Sequence, residues 1–246
     1  MQVGFKSDKG AVRSNNEDAC FVLLPDKVYV IADGVGGGNS GEIASRTAVN
    51  EVANYVVEHP ISLMTNKYAI VNYIQAAVDN ANAKVFNMAR NYTENTGMAT
   101  TLIVTYVTEG KAYIANVGDS RVYLYRSGQL VQVTEDHTYL NTLVKAGILT
   151  KEQASLDDRK NVITKALGAD KTCEPDFFNV DVQRGDVFII CTDGLYNEVS
   201  QEEMIEMIKE KGTMSDLVEK LIQRANENGG NDNITAITLK VTEEDI

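Results

Sequence analysis

Ile31-Ala32-Asp33-Gly34-Val35-Gly36-Gly37-Gly38-Asn39-Ser40-Gly41 follows the apolar run Val28-Tyr29-Val30-Ile31. The order is a buried strand, an aspartate where the strand should end, and a glycine-rich loop. Glycine permits close backbone approach and dihedral angles closed to other residues. A carboxylate in that setting has the chemistry of a hard-cation ligand. It also has the chemistry of a local turn former. The rest of the chain has to decide between the two.

Bulk properties narrow the classes. The 246 residues make one domain or two, and a 43% hydrophobic content is enough for one sizeable core. A net charge of -12 argues against a nucleic-acid binder, which needs a basic footprint, and against an electrostatic membrane anchor. It is compatible with an anionic substrate if bound cations reverse the local charge. Cys20, Cys173 and Cys191 are odd in number and lack CxxC spacing, so they read as reduced core thiols of a cytosolic protein. The stretch Met1 to Ser7 has no apolar signal core, and no apolar run approaches membrane-spanning length. The expectation is a cytoplasmic monomer with no nucleic-acid partner and no membrane insertion.

Along the chain, Asp18 to Leu24 reads as a strand that pairs back with Val28 to Asp33 across the Pro25-Asp26 turn. Asn39 and Glu42 have capping-box spacing, opening a helix to about Glu58 with Ala44, Ala48, Val52 and Tyr55 on one face. Val71, Ile74, Val78, Ala81, Val85 and Met88 recur at three- and four-residue spacing, a second helix with a core-facing stripe. Strands follow at Ala99 to Val107, Lys111 to Val117, Arg121 to Tyr125 and Leu130 to Val133, and their short connections predict an antiparallel meander. A helical stretch runs from Tyr139 to about Leu156, with Thr150 and Gln153 as a capping box inside it. The segment from about Asp136 to Lys165 reads as an insertion lying over something. Val187 to Thr192 is a second apolar run ending in Asp-Gly. Helices near Ser200 to Lys211, opened by the Ser200 and Glu203 box, and near Ser215 to Asn228 precede a last strand, Ile234 to Val241. Helices in pairs between short-linked strands favour antiparallel sheets with helices outside, an α+β layered fold.

Asp18, Asp33, Asp119, Asp193 and Asp232 all sit at predicted strand ends. If those ends converge, several carboxylates share one small volume, which is strongly unfavourable unless cations neutralise them. Oxygen-only ligation indicates Mg²⁺, Mn²⁺ or Ca²⁺. With only His59 and His137 in the chain and no paired Cys or His, zinc is disfavoured. Two metals bridged by a carboxylate activate a water and polarise a phosphoryl oxygen for in-line displacement. Arg13, upstream of Asp18, has the planar fork that suits the phosphate's other oxygens.

These residues carry a resemblance. Arg13-Ser14-Asn15-Asn16-Glu17-Asp18, Ala32-Asp33-Gly34-Val35-Gly36-Gly37, Gly97-Met98-Ala99-Thr100-Thr101 and Asn116-Val117-Gly118-Asp119-Ser120-Arg121 resemble, in order, motifs of bacterial PP2C-type (PPM) protein phosphatases. So do Thr134-Glu135-Asp136-His137-Thr138, Ile163-Thr164-Lys165-Ala166-Leu167-Gly168, Cys191-Thr192-Asp193-Gly194-Leu195 and Asp232-Asn233-Ile234-Thr235. The resemblance covers nearly the whole chain. It implies a single domain over 1–246, a β-sandwich of two antiparallel sheets flanked by helix pairs, and hydrolysis of phosphoserine and phosphothreonine in proteins with Mn²⁺ or Mg²⁺. It implies that Asp33 bridges two metals and that the Gly34 carbonyl binds one of them. Asp193 and Asp232 would ligate the second, with Asp18 near it, and Asp119 with Asp193 would form a third metal site. Arg13 would hold the phosphate, and the segment from about 136 to 165 would be a flap near the site. A membrane Ser/Thr kinase with PASTA repeats, and its substrates, are the implied partners.

One position departs from the animal and plant pattern. Those members carry a histidine directly after the Asp-Gly as proposed general acid, and here Val35 stands there. Neither His59 nor His137 replaces it by spacing, which leaves water at the site to protonate the leaving oxygen. Two other readings remain: a catalytically dead scaffold, which predicts missing carboxylates, and a hydrolase of small phosphate esters, which shares the chemistry.

Overall fold

The computed structural model describes every residue except Gly38, Asn39, Asp158 and Lys160, and all side chains of the described residues save that of Ser155. The run Val28 to Ala32 shows why the fold is layered. Val28, Val30 and Ala32 pack outward against helices, while Tyr29 and Ile31 point into a second core between two sheets. A strand buried on both faces reads as a continuous apolar run, because neither face needs polar residues. Val187 to Cys191 behaves likewise: Val187, Ile189 and Cys191 face one set of helices, and Phe188 and Ile190 face the other sheet.

One sheet has the order β1 (Gln2–Asp8), β11 (Ile234–Lys240), β10 (Val187–Cys191), β7 (Arg121–Arg126) and β8 (Gln129–Gln132). The other has β2 (Asp18–Leu23), β3 (Val28–Val35), β5 (Leu102–Thr108), β6 (Lys111–Val117) and β9 (Asp176–Asp181), with β4 (Ala99–Thr100) paired to the end of β3. All these pairings are antiparallel. Helices α1 (Ser40–Glu58) and α2 (Lys67–Asn91) cover the second sheet. Helices α5 (Asp193–Tyr196), α6 (Gln201–Lys209) and α7 (Met214–Glu227) cover the first. The α+β sandwich of two antiparallel sheets between helix layers is thus the observed architecture.

The helical stripes hold. Ala44, Ala48 and Val52 on α1 are fully buried and Tyr55 is half-buried. Ile74, Val78, Ala81 and Val85 on α2 are buried, Val71 and Met88 are half-buried, and Ile70, Tyr73 and Ala77 widen the face. The Ser200 box opens α6 as expected, and a further box, Thr213 with Asp216, opens α7. The Asn39 box lies outside the described residues.

Four expectations are corrected. The sequence marks no strand at β1 or β9, which lie at sheet edges; their half-exposed sequences lack a strong apolar signal, so strand character comes from their partners β11 and β6. The helical stretch after Tyr139 is two helices, α3 (Tyr139–Lys145) and α4 (Lys151–Ser155), because Gly147 turns the chain with φ +70°. Thr150 and Gln153 therefore cap the start of α4 rather than lying inside one helix. Asp33 is two residues short of the end of β3, because β4 extends the pairing to Val35.

The fourth correction matters most. Lys111 to Val133 is not a meander within one sheet. β6 pairs in one sheet and β7 in the other, so the chain crosses the sandwich at Gly118-Asp119-Ser120. Gly118 adopts φ +99°, and a Cβ there would lie 2.6 Å from Thr101 Cγ2. Hairpin and crossing carry the same sequence signature, two apolar runs around a Gly-Asp pair. The crossing places Asp119 at one end of the sandwich.

Gly118→Ala is expected to cost about 1–3 kcal/mol, since strain and a close contact add. Gly128→Ala, at φ +85° with open space around its Cβ, is expected to cost less. Urea unfolding of both variants checks this. Equal losses would show that backbone strain alone sets the cost.

Candidate functional site

The pairing of β2 with β3 sets Asp18 directly opposite Asp33. Asp193 opens α5 at the end of β10, and Asp232 precedes β11, the neighbour of β10. The sheet crossing supplies Asp119. The carboxylates of Asp18, Asp193 and Asp232 have hydrogen-bond partners, and Asp119 is held through its backbone. The Thr192 hydroxyl donates to Asp18 Oδ2 at 2.8 Å. Asn197 Nδ2 donates to Asp193 Oδ2 at 3.1 Å. Asp232 Oδ1 accepts from the Asn233 amide at 2.8 Å, and its Oδ2 accepts from Arg13 Nη2 at 2.7 Å. The Tyr196 hydroxyl donates to the Asp119 carbonyl at 3.0 Å.

The electrostatics show that the five belong together. Burial pushes the Asp18 carboxyl up to about 7; hydrogen bonds from Thr235 and Thr192 oppose the rise, and Asp193 and Asp232 add to it. Asp119 is also pushed up to about 7, first by burial and then by Asp193 and Asp136. Asp193 rises to about 6 by burial and by Asp232. Asp33 keeps some surface in contact with solvent, yet protein surrounds it densely. That burial lifts its carboxyl well above the ordinary value, and Asp18, Asp193, Asp119 and Asp232 all push it further. Like charges in a poorly solvated volume disfavour the ionised form.

Asp18 Oδ1 and Asp193 Oδ1 are buried without a hydrogen-bond partner. Buried acceptors left unpaired carry their full desolvation cost, and a hard cation removes it. Among the described residues, no three acidic, histidine or cysteine side chains close on one point. The carboxylates are neighbours rather than a preformed cage. Cations that keep several waters and take one or two carboxylates, as Mg²⁺ does, suit that spacing.

Gly34 has a steric reason beside any ligand role. A Cβ there would lie 2.0 Å from the Gly41 carbonyl oxygen and 2.7 Å from that of Glu17. Only glycine lets α1 start this close to β3. Val35, 46% exposed, lies on the same face of β3 as Asp33 by strand alternation. Neither histidine takes its place. His59 lies just past the far end of α1, roughly 28 Å along that helix from Ser40. His137 instead braces the Asp119 loop: its Nδ1 accepts from the Gly118 amide at 3.0 Å, and its own amide donates to the Gly118 carbonyl at 3.0 Å. Its Nε2 is 3.2 Å from Asp176 Oδ2, within ion-pair distance but off the line of a hydrogen bond. Burial lowers the pKa of this ring, and Nδ1, as the acceptor of the Gly118 amide, carries no proton.

Sequence reasoning missed the residues that hold the carboxylates. The Thr101 hydroxyl accepts from the Asp33 amide at 2.9 Å and pairs with Ser120 Oγ at 2.7 Å, linking β3 to the crossing. Asn233 Nδ2 donates to the carbonyls of Lys9 and Asn15, both at 2.8 Å, and its Oδ1 accepts from the Glu17 amide at 2.7 Å. One buried side chain therefore pins both ends of the loop that carries Arg13. Asn233 and Thr101 stand within the quoted motifs, but nothing in their spacing shows partners this far away along the chain.

Comparison with known proteins agrees with this geometry. Residues 10–237 match the family described as Protein phosphatase 2C. The serine/threonine phosphatase Stp of Listeria innocua is 35% identical over 243 residues, 98% of this chain and 96% of that protein. The solved S. agalactiae serine/threonine phosphatase superposes with a TM-score of 0.91 at 31% identity, covering 98% of this chain and 99% of that one. The catalytic domain of the serine threonine protein phosphatase PstP, solved in complex with 2 manganese ions, superposes at 0.86 with 30% identity and 98% of each chain covered. With its antiparallel sandwich, its converging aspartates and these matches over nearly its full length, the chain belongs to the protein phosphatase 2C family of metal-dependent serine/threonine phosphatases.

Proposed function

We propose that the five aspartates hold two Mn²⁺ or Mg²⁺ ions for hydrolysis of phosphoserine and phosphothreonine in proteins, with room for a third ion. The observation that carries this is the pair of buried, unpartnered oxygens on Asp18 and Asp193 within a group of mutually repelling carboxylates. Asp33 is the bridging ligand, supported by its electrostatic coupling to all four others. The Gly34 carbonyl joins it for one ion. Asp193 and Asp232 serve the second, with Asp18 beside it, and Asp119 with Asp193 serves the third. Bound there, the ions would neutralise the carboxylates, acidify a water for in-line attack and polarise the phosphoryl group.

The chain's own residues do the rest. Arg13 leans on Asp232, and its side chain is 47% exposed, so its planar fork can turn to the phosphoryl oxygens. Val35 has no proton to give the leaving oxygen, which leaves water at the site, on the ions or near Asp119, to supply it. The chain works as one catalytic domain over 1–246, with residues from about 136 to 165 as a flap beside the site. We place it as a monomer in the cytoplasm, acting on proteins phosphorylated by a bacterial kinase of the PASTA type. A net charge of -12 disfavours nucleic acid and an anionic membrane surface as partners, and among the described residues no helix is long and apolar enough to cross a membrane.

Asp33→Asn and Asp193→Asn are expected to lower Mn²⁺-dependent turnover of a phosphothreonine peptide by more than ~100-fold, beyond the loss usual for outer-shell partners. Retained turnover in either variant would remove that residue from the site. Arg13→Ala is expected to raise KM for the same peptide at saturating Mn²⁺, read by steady-state kinetics, and an unchanged KM would remove Arg13 from the phosphate site.

Stability should also depend on pH in a defined direction. Asp18, Asp119 and Asp193 are raised to about 6 or 7 in the folded chain, from an ordinary value of 3.8. Between pH 4 and 7 the folded state then binds more protons than the unfolded one, so stability falls as pH rises. In chelator, the melting temperature is expected to drop by several degrees from pH 5 to pH 7.5. Added Mn²⁺ should reverse the drop at pH 7.5, because metal binding favours the deprotonated carboxylates. A chelated protein more stable at pH 7.5 than at pH 5 would contradict the clustering.

A further inference from the structure

The third ion of the reading above would be shared by two residues from different elements, Asp119 in the sheet crossing and Asp193 at the start of α5. Their side chains are held unequally. Asn197 donates to the Asp193 carboxylate. Among the described residues no side chain donates to the Asp119 carboxylate, which takes a hydrogen bond from its own backbone. Where that carboxylate lies is therefore set through the main chain. Gly118 is clamped on both sides: His137 Nδ1 accepts from its amide, and the His137 amide and Asn116 Nδ2 donate to its carbonyl. At Asp119 itself the contact is the Tyr196 hydroxyl, which donates to the carbonyl at 3.0 Å.

Tyr196 follows Asp193 by three residues, a spacing that puts both on one face of a helical turn. One turn of α5 thus carries a carboxylate of the pair and, beside it, the side chain that reaches the other one's backbone. The turn is firmly seated, because Leu195 is fully buried in the core between the first sheet and its helices. The Tyr196 ring is held as well. The Arg121 guanidinium lies 3.6 Å from its centre, Arg121 Nε and Nη2 bind Asp136, and Nη1 donates to the Tyr123 hydroxyl. Tyr196 therefore meets the crossing at two points, its hydroxyl on Asp119 and its ring on Arg121. The hydroxyl bonds a carbonyl and no carboxylate oxygen, so it orients Asp119 without taking a lone pair that an ion would use. After burial, Asp193 is the group that raises the Asp119 pKa most, as expected of two carboxylates that share a poorly solvated volume. Asp193 also keeps one buried oxygen, Oδ1, without a hydrogen-bond partner.

Building on the phosphatase reading above, we propose that Tyr196 is a positioning residue for the third ion: its hydroxyl ties the Asp119 backbone to α5 and so sets the separation of Asp119 and Asp193. The other two ions, served by Asp33, Gly34, Asp193, Asp232 and Asp18, do not depend on this bond. Without the hydroxyl the crossing keeps its ring contact through Arg121 and loses only the tie at Asp119. Loss of a hydrogen bond behind a metal ligand typically weakens metal binding by ~10–100-fold.

The test titrates Mn²⁺ into the full chain, first stripped with chelator, and reads each binding event by calorimetry; thermal melting in chelator shows that each variant is folded. Asp119→Asn identifies the third event as the one it removes. Tyr196→Phe, which keeps the ring on Arg121, is expected to weaken that event by about tenfold and to leave the other two within about twofold of wild type. Tyr196→Leu is expected to weaken it at least as much. A third event unchanged in Tyr196→Phe and weakened in Tyr196→Leu would show that ring packing sets the spacing, and would overturn the role of the hydroxyl. Equal weakening of all three events in Tyr196→Phe would overturn it as well, since a general loosening of the site does not single out Asp119. A wild type that binds two ions would remove the third site and this assignment with it, leaving the two-ion phosphatase reading intact. A wild type that binds none would overturn both.

Discussion

Like-charge repulsion in a buried volume is the constraint on which this structure turns. Five aspartates from distant parts of the chain meet at one end of a sandwich, where burial raises the proton affinity of Asp18, Asp33, Asp119 and Asp193 and neighbouring carboxylates raise it further. Such a group lowers stability unless protons or cations neutralise it. The fold tolerates it because the carboxylates are held by regular structure. Asp18 and Asp33 are locked by strand register, and Asp193 and Asp232 flank neighbouring strands. Cations held there, as proposed above, would both supply the chemistry and remove a standing electrostatic cost.

Rigidity around the site comes from short hydroxyl and amide contacts rather than from charge. Thr192 fixes Asp18, Thr101 fixes the backbone of Asp33 and reaches Ser120, and Asn233 ties down three segments of the loop that carries Arg13. These partners are neutral and largely buried, so they orient carboxylates without competing with cations for them. Outer-shell groups of this sort set ligand direction as strongly as the ligands set affinity. His137 belongs with them. It braces the Asp119 crossing through its Nδ1, which accepts from the Gly118 amide.

The segment from Asp136 to Lys165 is joined to the site through the Arg121 stack. Asp136 at its root grips Arg121, Arg121 lies over Tyr196, and Tyr196 holds the Asp119 backbone. One cation therefore links the start of this segment, strand β7, helix α5 and the crossing. A charge held by two faces of hydrogen bonding and an aromatic ring is well compensated.

Much of this was legible in the linear chain, for physical reasons. Strands buried on both faces must be apolar throughout, so Val28 to Ile31 and Val187 to Cys191 announce themselves. Helices buried on one face must repeat at 3.6 residues, so Ile74, Val78 and Ala81 align. Carboxylates beside glycines at the ends of such runs mark Asp33 and Asp193 as candidate ligands. Edge strands β1 and β9 were not legible, because a half-exposed strand takes its character from its neighbour. The crossing at Gly118 was not legible either, because two apolar runs joined by Gly-Asp look the same in a hairpin and between sheets. Which residues hold the carboxylates, and that Tyr196 reaches the Asp119 carbonyl, was decided by the tertiary structure alone. Those contacts join positions tens to hundreds of residues apart, and distance along the chain carries no record of them. The sequence by itself determined the layers and the reactive groups; the packing of two sheets decided where those groups meet.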